Sequence, residues 1–467
     1  MKNIIFSKYR KIIIMAVLQL PFIAFAQTGW YTEGNFAPEK RMKITIQNTL
    51  NIDRDDCPVV ITHEEFPVKK LHEMWVTIVD PSLPPKEKPT EEEMAFVGGH
   101  GILEETNGHQ IFYQLDDLDK DGIWDELFFQ TNLKAGETKT MYIYFGFSGR
   151  GWNPLGTYAT IGSYCRHIIP WWESKNIGWK LWFPTSVDMY GKRQPHLISH
   201  LMCQDNLCGY SGVHKVNWEY GSDIMRVSNS FGAGGIGLFE FAEKPDSISM
   251  PRFAPVEGEK ISEANFNEDQ ITDTRYAFDV VVNGPLRSTI RVKTMNWDSG
   301  NGFYELTQDY TAYTNQNYST CKVQFTKFLP HQNGVQFACG IRANEIDAEN
   351  YIEKGIAIRS GEELAADPDD DSELRTHKVD FVGSALVVKD IYQPEYVKLK
   401  SFGGNHVFKI HVNTEKSFEY MIAGAWSEGV VYNTPDLFKE YVRKSALEYN
   451  NPVIVSFKDL ENKAFNH

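Results

Sequence analysis

Short runs in which apolar and polar residues alternate constrain the fold of this chain more than any other feature of its sequence. These runs are rich in Val, Ile, Thr, Tyr and Phe, and Gly, Asn, Asp or Pro interrupts them. Examples lie at residues 42–47, 73–79, 138–145, 276–282 and 288–294. A period of two places successive side chains on opposite faces of a strand, which is typical of half-buried antiparallel sheets. The pattern therefore predicts an all-β protein.

The strand-like runs show no repeating unit, which favours a sandwich over a propeller. We expect one large antiparallel β-sandwich, of the supersandwich or galactose-mutarotase-like type, over residues 42–460, preceded by a short N-terminal segment at 27–41. Helical periodicity is convincing only from Pro435 to Leu447, where the apolar residues of one face are Leu437, Phe438, Tyr441, Val442 and Leu447. This segment predicts one covering helix near the C-terminus.

The first 26 residues have the pattern of a secretory signal peptide. Four cations precede an apolar run from Ile12 to Phe25, which ends in the small-residue pattern Ala24-Phe25-Ala26. Cleavage is expected before Gln27, and no cysteine stands there to accept a lipid. We expect a periplasmic or extracellular protein with no membrane segment after cleavage, because no later run approaches the roughly 20 apolar residues of a membrane helix.

The net charge of −15 makes nucleic acid a poor partner. An anionic substrate is compatible with this charge, because a local group of cations acts within a screening length of about 8–10 Å. The oligomeric state is not predicted.

The six cysteines are too few for a disulfide scaffold in so long a chain. Cys203 and Cys208 form the single local pair. They are expected to form either a loop-closing disulfide or two buried free thiols. No second Cys or His pair stands at zinc-finger spacing, so zinc is not expected.

Residues 152–218 have the composition of a carbohydrate site. Six of the eleven tryptophans lie there, among many histidines and cations. Aromatic faces stack on the apolar faces of sugar rings, while charged and amide groups bind hydroxyls and carboxylates. The alternative is that these tryptophans belong to the core, since sandwich cores are rich in aromatic residues.

Several motifs together resemble the domain-of-unknown-function family numbered 4861, found largely in polysaccharide-degrading Bacteroidota. The resemblance covers most of the mature chain and rests on residues 114–127, 172–174, 188–192, 214, 218–224, 232–235 and 284–288. It implies work on uronic-acid-containing oligosaccharides, since relatives look to be encoded beside hydrolases of unsaturated uronosides. One relative's activity looks like dehydration of a non-reducing-end uronate, a carbon–oxygen lyase reaction that needs no cofactor.

This chemistry requires particular residue types. Taking a proton α to a carboxylate requires a cation to neutralise the substrate's charge, for which the candidates are Lys192, Arg193 and Arg226. An acid and a base are also needed, and His214 with Tyr190 or Tyr220 can fill these roles. Glu173 and Asp223 can orient His214 or sugar hydroxyls. The candidate stacking residues are Trp171, Trp172 and Trp218.

Each assignment has a structural alternative, such as a core histidine, a solvated turn at Lys192 and Arg193, or an Asp223–Arg226 ion pair. Two other functions also remain open. Glu173 and Asp223 could form the carboxylate pair of a glycoside hydrolase if they lie about 5–9 Å apart. A non-catalytic carbohydrate-binding protein would need exposed tryptophans and no convergence of His214, Tyr190 and Lys192.

The segment Asp117–Glu126 has the oxygen-rich spacing that calcium favours. Its candidate ligands are Asp117, Asp119, Asp121 and Asp125, at positions 1, 3, 5 and 9 around Gly122. Position 12 is Phe128, where a helix–loop–helix calcium site needs a glutamate. The segment is therefore expected to be a solitary structural calcium loop or a polar hairpin turn.

Overall fold

A computed structural model shows a protein built mainly of antiparallel strands. It describes residues 29–31, 36, 38–84, 90–92, 110–146, 154–164, 167–182, 186–204, 217–225, 227, 230–241, 243–244, 246–252, 272–343, 349–365, 376–400 and 404–463. The predicted signal peptide, His214, Arg226 and Cys208 lie outside these residues.

Two smaller sheets, formed mainly by the N-terminal part of the chain, share one apolar core. One has the order β25-β1-β7-β3-β4 and the other β2-β6-β5. Their bounds are β1 Lys40–Gln47, β2 Arg54–Thr62, β3 Val76–Val79, β4 Gln110–Ile111, β5 Tyr113–Asp116, β6 Glu126–Leu133, β7 Thr138–Phe145 and β25 Ile454–Asn462. Alternate residues such as Ile44 and Ile46 of β1 meet Val59 and Ile61 of β2 in this core. The period-two pattern therefore places one face of each sheet inside.

The largest sheet has eight strands in the order β14-β15-β16-β17-β24-β21-β20-β19. Their bounds are β14 Arg275–Asn283, β15 Arg287–Asp298, β16 Gly302–Tyr313, β17 Tyr318–Pro330, β19 Glu349–Glu353, β20 Ile356–Ala365, β21 His377–Val388 and β24 Ser417–Trp426. Its neighbouring strands pair antiparallel throughout.

Two further sheets form the opposite layer. The five-stranded sheet contains β8 Thr157–Tyr164, β9 His167–Ser174, β10 Ile177–Trp182, β11 Ser186–Lys192 and β12 Gly221–Asp223 in sequential order. The four-stranded sheet contains β13 Gly235–Phe239, β18 Gln336–Arg342, β23 Asn405–His411 and β22 Glu395–Leu399. Buried side chains of both sheets and of the eight-stranded sheet form one large core. The predicted antiparallel β-sandwich is confirmed.

Three α-helices accompany the sheets in the described part of the chain: α1 Ser199–Gln204, α2 Asn217–Tyr220 and α3 Pro435–Asn450. None of them is long and apolar enough to cross a lipid bilayer. The predicted C-terminal helix is α3. The side chain of Thr434 accepts a hydrogen bond from the amide of Leu437 and so caps its first turn.

Helix α3 covers the outer face of the eight-stranded sheet. Phe438, Tyr441 and Val442 are buried against residues of β20, β21 and β24, as the sequence indicated. Leu437 and Leu447 are about half exposed, however, so the predicted placement of these two residues on the packed face is wrong. The buried stripe continues instead through Ser445 and Ala446, whose small side chains allow close approach of helix and sheet.

Arg287 joins the N-terminal sheets to the large sandwich. Its guanidinium binds Asp116, with Nε to Oδ2 at 2.6 Å, and Glu126, with Nη1 to Oε2 at 2.8 Å. It also lies over the ring of Phe128, 4.4 Å from the centroid. Burial disfavours the charged form, but the two carboxylates raise the pKa of Arg287 above its ordinary value. The motif around residues 284–288 therefore has a structural role at this junction.

Three of the cysteines, Cys57, Cys321 and Cys339, are buried free thiols. Because Cys208 lies outside the described residues, the disulfide between Cys203 and Cys208 stays a prediction.

Candidate functional site

The strands β9 to β12 carry the predicted site residues on one face of their sheet. Trp172 and Trp179 point into the large core, where their rings stack 6.3 Å apart. The residues on the opposite face include Trp171, Glu173, Lys180, Asp188, Tyr190, Lys192 and Asp223, and we call this set the polar face. Glu173, Gly178, Tyr190 and Asp223 form one row across four paired strands. All members of the polar face are nevertheless buried, which is unusual for ionisable side chains.

Lys192 and Glu173 form a buried ion pair. The Lys192 ammonium also donates to the carbonyl oxygens of Ser174, at 2.5 Å, and His196, at 2.7 Å. Burial lowers the pKa of Lys192, whereas the Glu173 carboxylate raises it. Gly178 lies between the two strands, and a Cβ added there would be 3.8 Å from Lys192 Cε. A larger side chain at this position would crowd the path of the lysine to Glu173.

Glu173 also fixes the start of α1. Its Oε1 accepts hydrogen bonds from the amides of Ile198, at 3.0 Å, and Ser199, at 2.8 Å, and from the Ser199 hydroxyl at 2.6 Å. A carboxylate with this many donors holds α1 against the sheet. The structure therefore places Lys192 and Glu173 in a buried supporting network and not on an accessible surface.

A second buried lysine lies between two carboxylates. Lys180 Nζ is 2.8 Å from Asp223 Oδ2 and 3.4 Å from Asp188 Oδ2. The ammonium also lies 5.2 Å from the centroid of the Trp171 ring. Because Lys180, Asp188 and Asp223 come from β10, β11 and β12, this group ties together three strands of the sheet.

Tyr190 lies between the two lysine groups. Burial raises the pKa of Tyr190 well above its ordinary value, and Arg193 opposes this while Asp223 and Glu173 add to it. The hydroxyl stays protonated as a result. Among the described residues, neither the Tyr190 hydroxyl nor Trp171 Nε1 has a hydrogen-bond partner, and their rings meet edge to face at 6.5 Å.

Five residues at or near the end of β11 are partly or fully exposed: Arg193, His196, Tyr220, His377 and Glu428. We call this group the rim. The Arg193 amide donates to the Tyr220 carbonyl oxygen at 2.9 Å, and the rings of His196 and Tyr220 lie 5.6 Å apart. The end of β11 and the end of α2 are thereby held together.

Arg193 is the centre of the rim. Its Nε donates to Glu428 Oε2 at 2.7 Å, its Nη1 donates to the Ser222 hydroxyl at 3.2 Å, and it lies over the Trp426 ring, 4.8 Å from the centroid. The other oxygen of Glu428, Oε1, is 2.6 Å from His377 Nε2. The exposed fractions of these side chains are 13% for Arg193, 30% for Glu428 and 20% for His377. All three side chains are therefore partly exposed to solvent.

The structure brings together only some of the residues predicted from sequence. Glu173, Tyr190, Lys192, Asp223 and Trp171 share the polar face, and Arg193 and Tyr220 lie at the rim. Trp172 is a core residue that stacks on Tyr310 at 4.6 Å and donates to the Ser319 hydroxyl, so it presents no face to a sugar. Trp218 belongs to α2, but its side chain is not described. His214 and Arg226 stay predictions.

Sequence reasoning missed Glu428 and His377. Both lie far along the chain, after β24 and at the start of β21, outside the tryptophan-rich residues 152–218. Lys180 and Asp188 were visible as charged residues at alternate positions of apolar strands. Such a charge in a strand that is otherwise apolar is a signal of a special environment.

The aspartate loop connects β5 and β6, which pair as a hairpin. Carboxylate oxygens of Asp117, Asp119 and Asp125 lie within 4.8 Å of one another. Asp121 is not part of this group, and its Oδ1 accepts from the Ile123 amide at 2.7 Å. The other carboxylates also accept backbone amides, as Asp125 Oδ2 does from Leu118 at 2.6 Å. Three of the four predicted ligands thus converge in a hairpin turn.

These features define an antiparallel β-sandwich protein with a covered, charged sheet face and a partly exposed polar rim. The chain belongs to the family described as Domain of unknown function (DUF4861), whose model matches residues 46–455. The family predicted from the sequence motifs is therefore confirmed. No curated protein matches the chain.

Two solved structures from Enterococcus faecalis are similar to this chain. One is a protein in glycosyl hydrolase family 38, with 9% identity and a TM-score of 0.42 over 90% of this chain and 47% of that chain. The other is an alpha-mannosidase from strain V583, with 10% identity and a TM-score of 0.42 over 92% of this chain and 47% of that chain. The chain spans about half the length of both structures.

Proposed function

We propose that this protein is a carbohydrate-active enzyme that eliminates water from a uronic acid residue of an oligosaccharide, in the periplasm or outside the cell. The observation that carries the proposal is the group at the end of β11, where the partly exposed Arg193 and His377 share the carboxylate of Glu428. The resemblance of the sequence motifs to a family with a uronate-dehydrating relative supplies the reaction.

The rim offers the groups that this reaction needs. Arg193 binds the substrate carboxylate, which neutralises its charge as the proton on C5 is removed. The base takes that proton, the C5–H electrons form the C4–C5 double bond, and the C4–O bond breaks. The hydroxyl leaves as water with a proton from an acid, so the step is redox-neutral and needs no co-reactant.

Tyr220 suits the role of the acid better than Tyr190 does. It is half-buried and lies next to Arg193, whereas Tyr190 is fully buried. His214, which closely precedes α2 in the sequence, is the base predicted from the residue types. The buried polar face holds the strands and α1 in place.

Two observations disfavour the alternatives. Glu173 and Asp223 each contact a buried lysine, which leaves neither carboxylate on an accessible surface for glycoside hydrolysis. Trp171, Trp172 and Trp179 are buried, so they do not form the exposed strip of a carbohydrate-binding module.

The direct test is the appearance of an unsaturated uronate. Purified protein is incubated with saturated oligosaccharides that end in a uronate, and the ultraviolet absorbance of the conjugated product is followed. We expect a rise in absorbance that is absent when the carboxylate has been reduced to an alcohol. Binding or hydrolysis without a rise in absorbance would contradict the proposal.

We also propose that the aspartate loop binds one structural calcium ion. Carboxylate oxygens are the ligands that calcium prefers, and three of them converge there. The site lies in the hairpin of β5 and β6 and has no part in the elimination.

A further inference from the structure

We propose that His377 exchanges the C5 proton of the substrate and that Glu428 positions it beside Arg193. This inference rests on the proposed function, assigns the base to His377 in place of the predicted His214, and names residues that the sequence did not indicate. The fold brings three distant segments of the chain together around Glu428. Arg193 follows β11, His377 begins β21 and Glu428 follows β24.

The turn that carries Glu428 is fixed by the sheet. Val382 of β21 pairs with Trp426 of β24, and the Ser427 amide donates to the Phe381 carbonyl oxygen at 2.8 Å. The Gly429 amide closes the turn on the Trp426 carbonyl oxygen at 3.0 Å. Glu428 therefore stands on a hydrogen-bonded turn between rigid strands, as a positioning residue requires.

Glu428 divides its two oxygens between a cation and an imidazole. Oε2 accepts from Arg193, and Oε1 is 2.6 Å from His377 Nε2. A carboxylate at this distance favours the tautomer with a proton on Nε2. Proton exchange with a substrate is thereby assigned to Nδ1. The same carboxylate orients both the group that binds the substrate anion and the group that moves its proton.

The pairing fits the chemistry of the reaction. To remove a proton next to a carboxylate, the enzyme needs a cation that neutralises the carboxylate and a base that accepts the proton. Both groups must reach the same sugar residue of the substrate. Nδ1 accepts the C5 proton while Tyr220 protonates the leaving hydroxyl. Unlike the buried Lys192 and Glu173 pair, these side chains are partly exposed.

The test compares His377→Gln and Glu428→Gln with the wild-type protein. Glu461→Gln is a matched control, because Glu461 also binds an arginine, Arg41, that lies over aromatic rings. We expect His377→Gln to lower kcat at least about 100-fold with little change in KM, and to remove the histidine limb of the pH–rate profile. Glu428→Gln should lower kcat by about 10- to 100-fold, and Glu461→Gln should have no effect.

Retention of kcat within about threefold in His377→Gln, or a change in KM alone, would overturn the assignment. Should His377→Gln fail to fold, Glu428→Gln decides by the same criterion. His214→Gln is measured in parallel, because loss of the histidine limb in that variant and not in His377→Gln would transfer the role of the base to His214. An inactive wild-type protein would refute the proposed function, whereas an active His377→Gln variant would refute only this inference.

Discussion

Arg287 and Arg193 have the same kinds of neighbours in two different regions of the molecule. Each guanidinium binds a carboxylate and lies over an aromatic ring, Phe128 for Arg287 and Trp426 for Arg193. Arg287 has two carboxylate partners and is 6% exposed. Arg193 shares the carboxylate of Glu428 with a histidine and is 13% exposed.

The difference lies in what the carboxylates leave accessible. At the junction of the N-terminal sheets, Asp116 and Glu126 enclose Arg287 between β5, β6 and β15, so the charge stabilises the fold and is closed to ligands. At the rim, the carboxylate connects Arg193 to His377 at the end of strands, where solvent reaches all three side chains. The same interaction thus serves structure where it is enclosed and, in the proposed function, binding where it is partly exposed.

The largest loss of stability is expected when Arg287, the enclosed arginine, is replaced. Arg287→Ala would leave Asp116 buried without its cation, which costs about 3–5 kcal/mol in the free energy of unfolding. Urea denaturation of the variant measures this loss. Arg291→Ala is the control, because Arg291 binds Asp309 in a more exposed pair, for which a loss of about 0–1 kcal/mol is expected. Equal losses in the two variants would contradict a structural role for the junction.

Breaking the buried ion pair of Lys192 and Glu173 should cause an intermediate loss of stability. Lys192→Met removes the cation, but Glu173 keeps its bonds to Ile198 and Ser199, so we expect a loss of about 2–3 kcal/mol. Urea denaturation gives the stability, and turnover is measured per folded molecule. An unchanged unfolding free energy would contradict the supporting role. A loss of turnover in the folded fraction would show that Lys192 reaches the substrate, as predicted from the sequence.

The smallest effect should come from calcium at the aspartate loop, which is next to the Arg287 junction. The Asp125 amide donates to the Asp116 carbonyl oxygen at 2.8 Å, so ordering of the loop supports the closed region. At calcium concentrations about tenfold above Kd, we expect a stabilisation of about 1.4 kcal/mol. Thermal unfolding with calcium and with a chelator measures this difference. Calcium binding would be contradicted if the wild-type protein had the same transition temperature with calcium and with the chelator. It would also be contradicted if Asp117→Asn were stabilised by calcium as much as the wild-type protein.

The fold class could be predicted because the alternation of apolar and polar residues indicates which face of each strand is buried. The C-terminal helix was also predictable, since Thr434, Pro435 and Asp436 form a start signal that depends only on local sequence. The burial of Leu437 and Leu447 could not be predicted correctly. Which stripe of a helix packs depends on the sheet beneath it, and that information is not local.

The site could be predicted only where its residues are close in the sequence. Glu173, Tyr190, Lys192 and Asp223 were recognised because they lie in or near the tryptophan-rich segment, and strand pairing does bring them to one face. Their burial was not visible from the sequence. Glu428 and His377 join Arg193 through the pairing of β21 with β24, a long-range contact that one sequence does not reveal.

The most direct test of the central claim, that the open arginine serves binding and catalysis, is the rate of unsaturated product formation by Arg193→Ala. We expect kcat/KM to fall about 100- to 1,000-fold, as when a charge-stabilising group is removed, while the unfolding free energy falls by about 1.5–3 kcal/mol, which is less than in Arg287→Ala. Wild-type activity in Arg193→Ala, or a loss of stability as large as that of Arg287→Ala, would contradict the distinction between the two arginines.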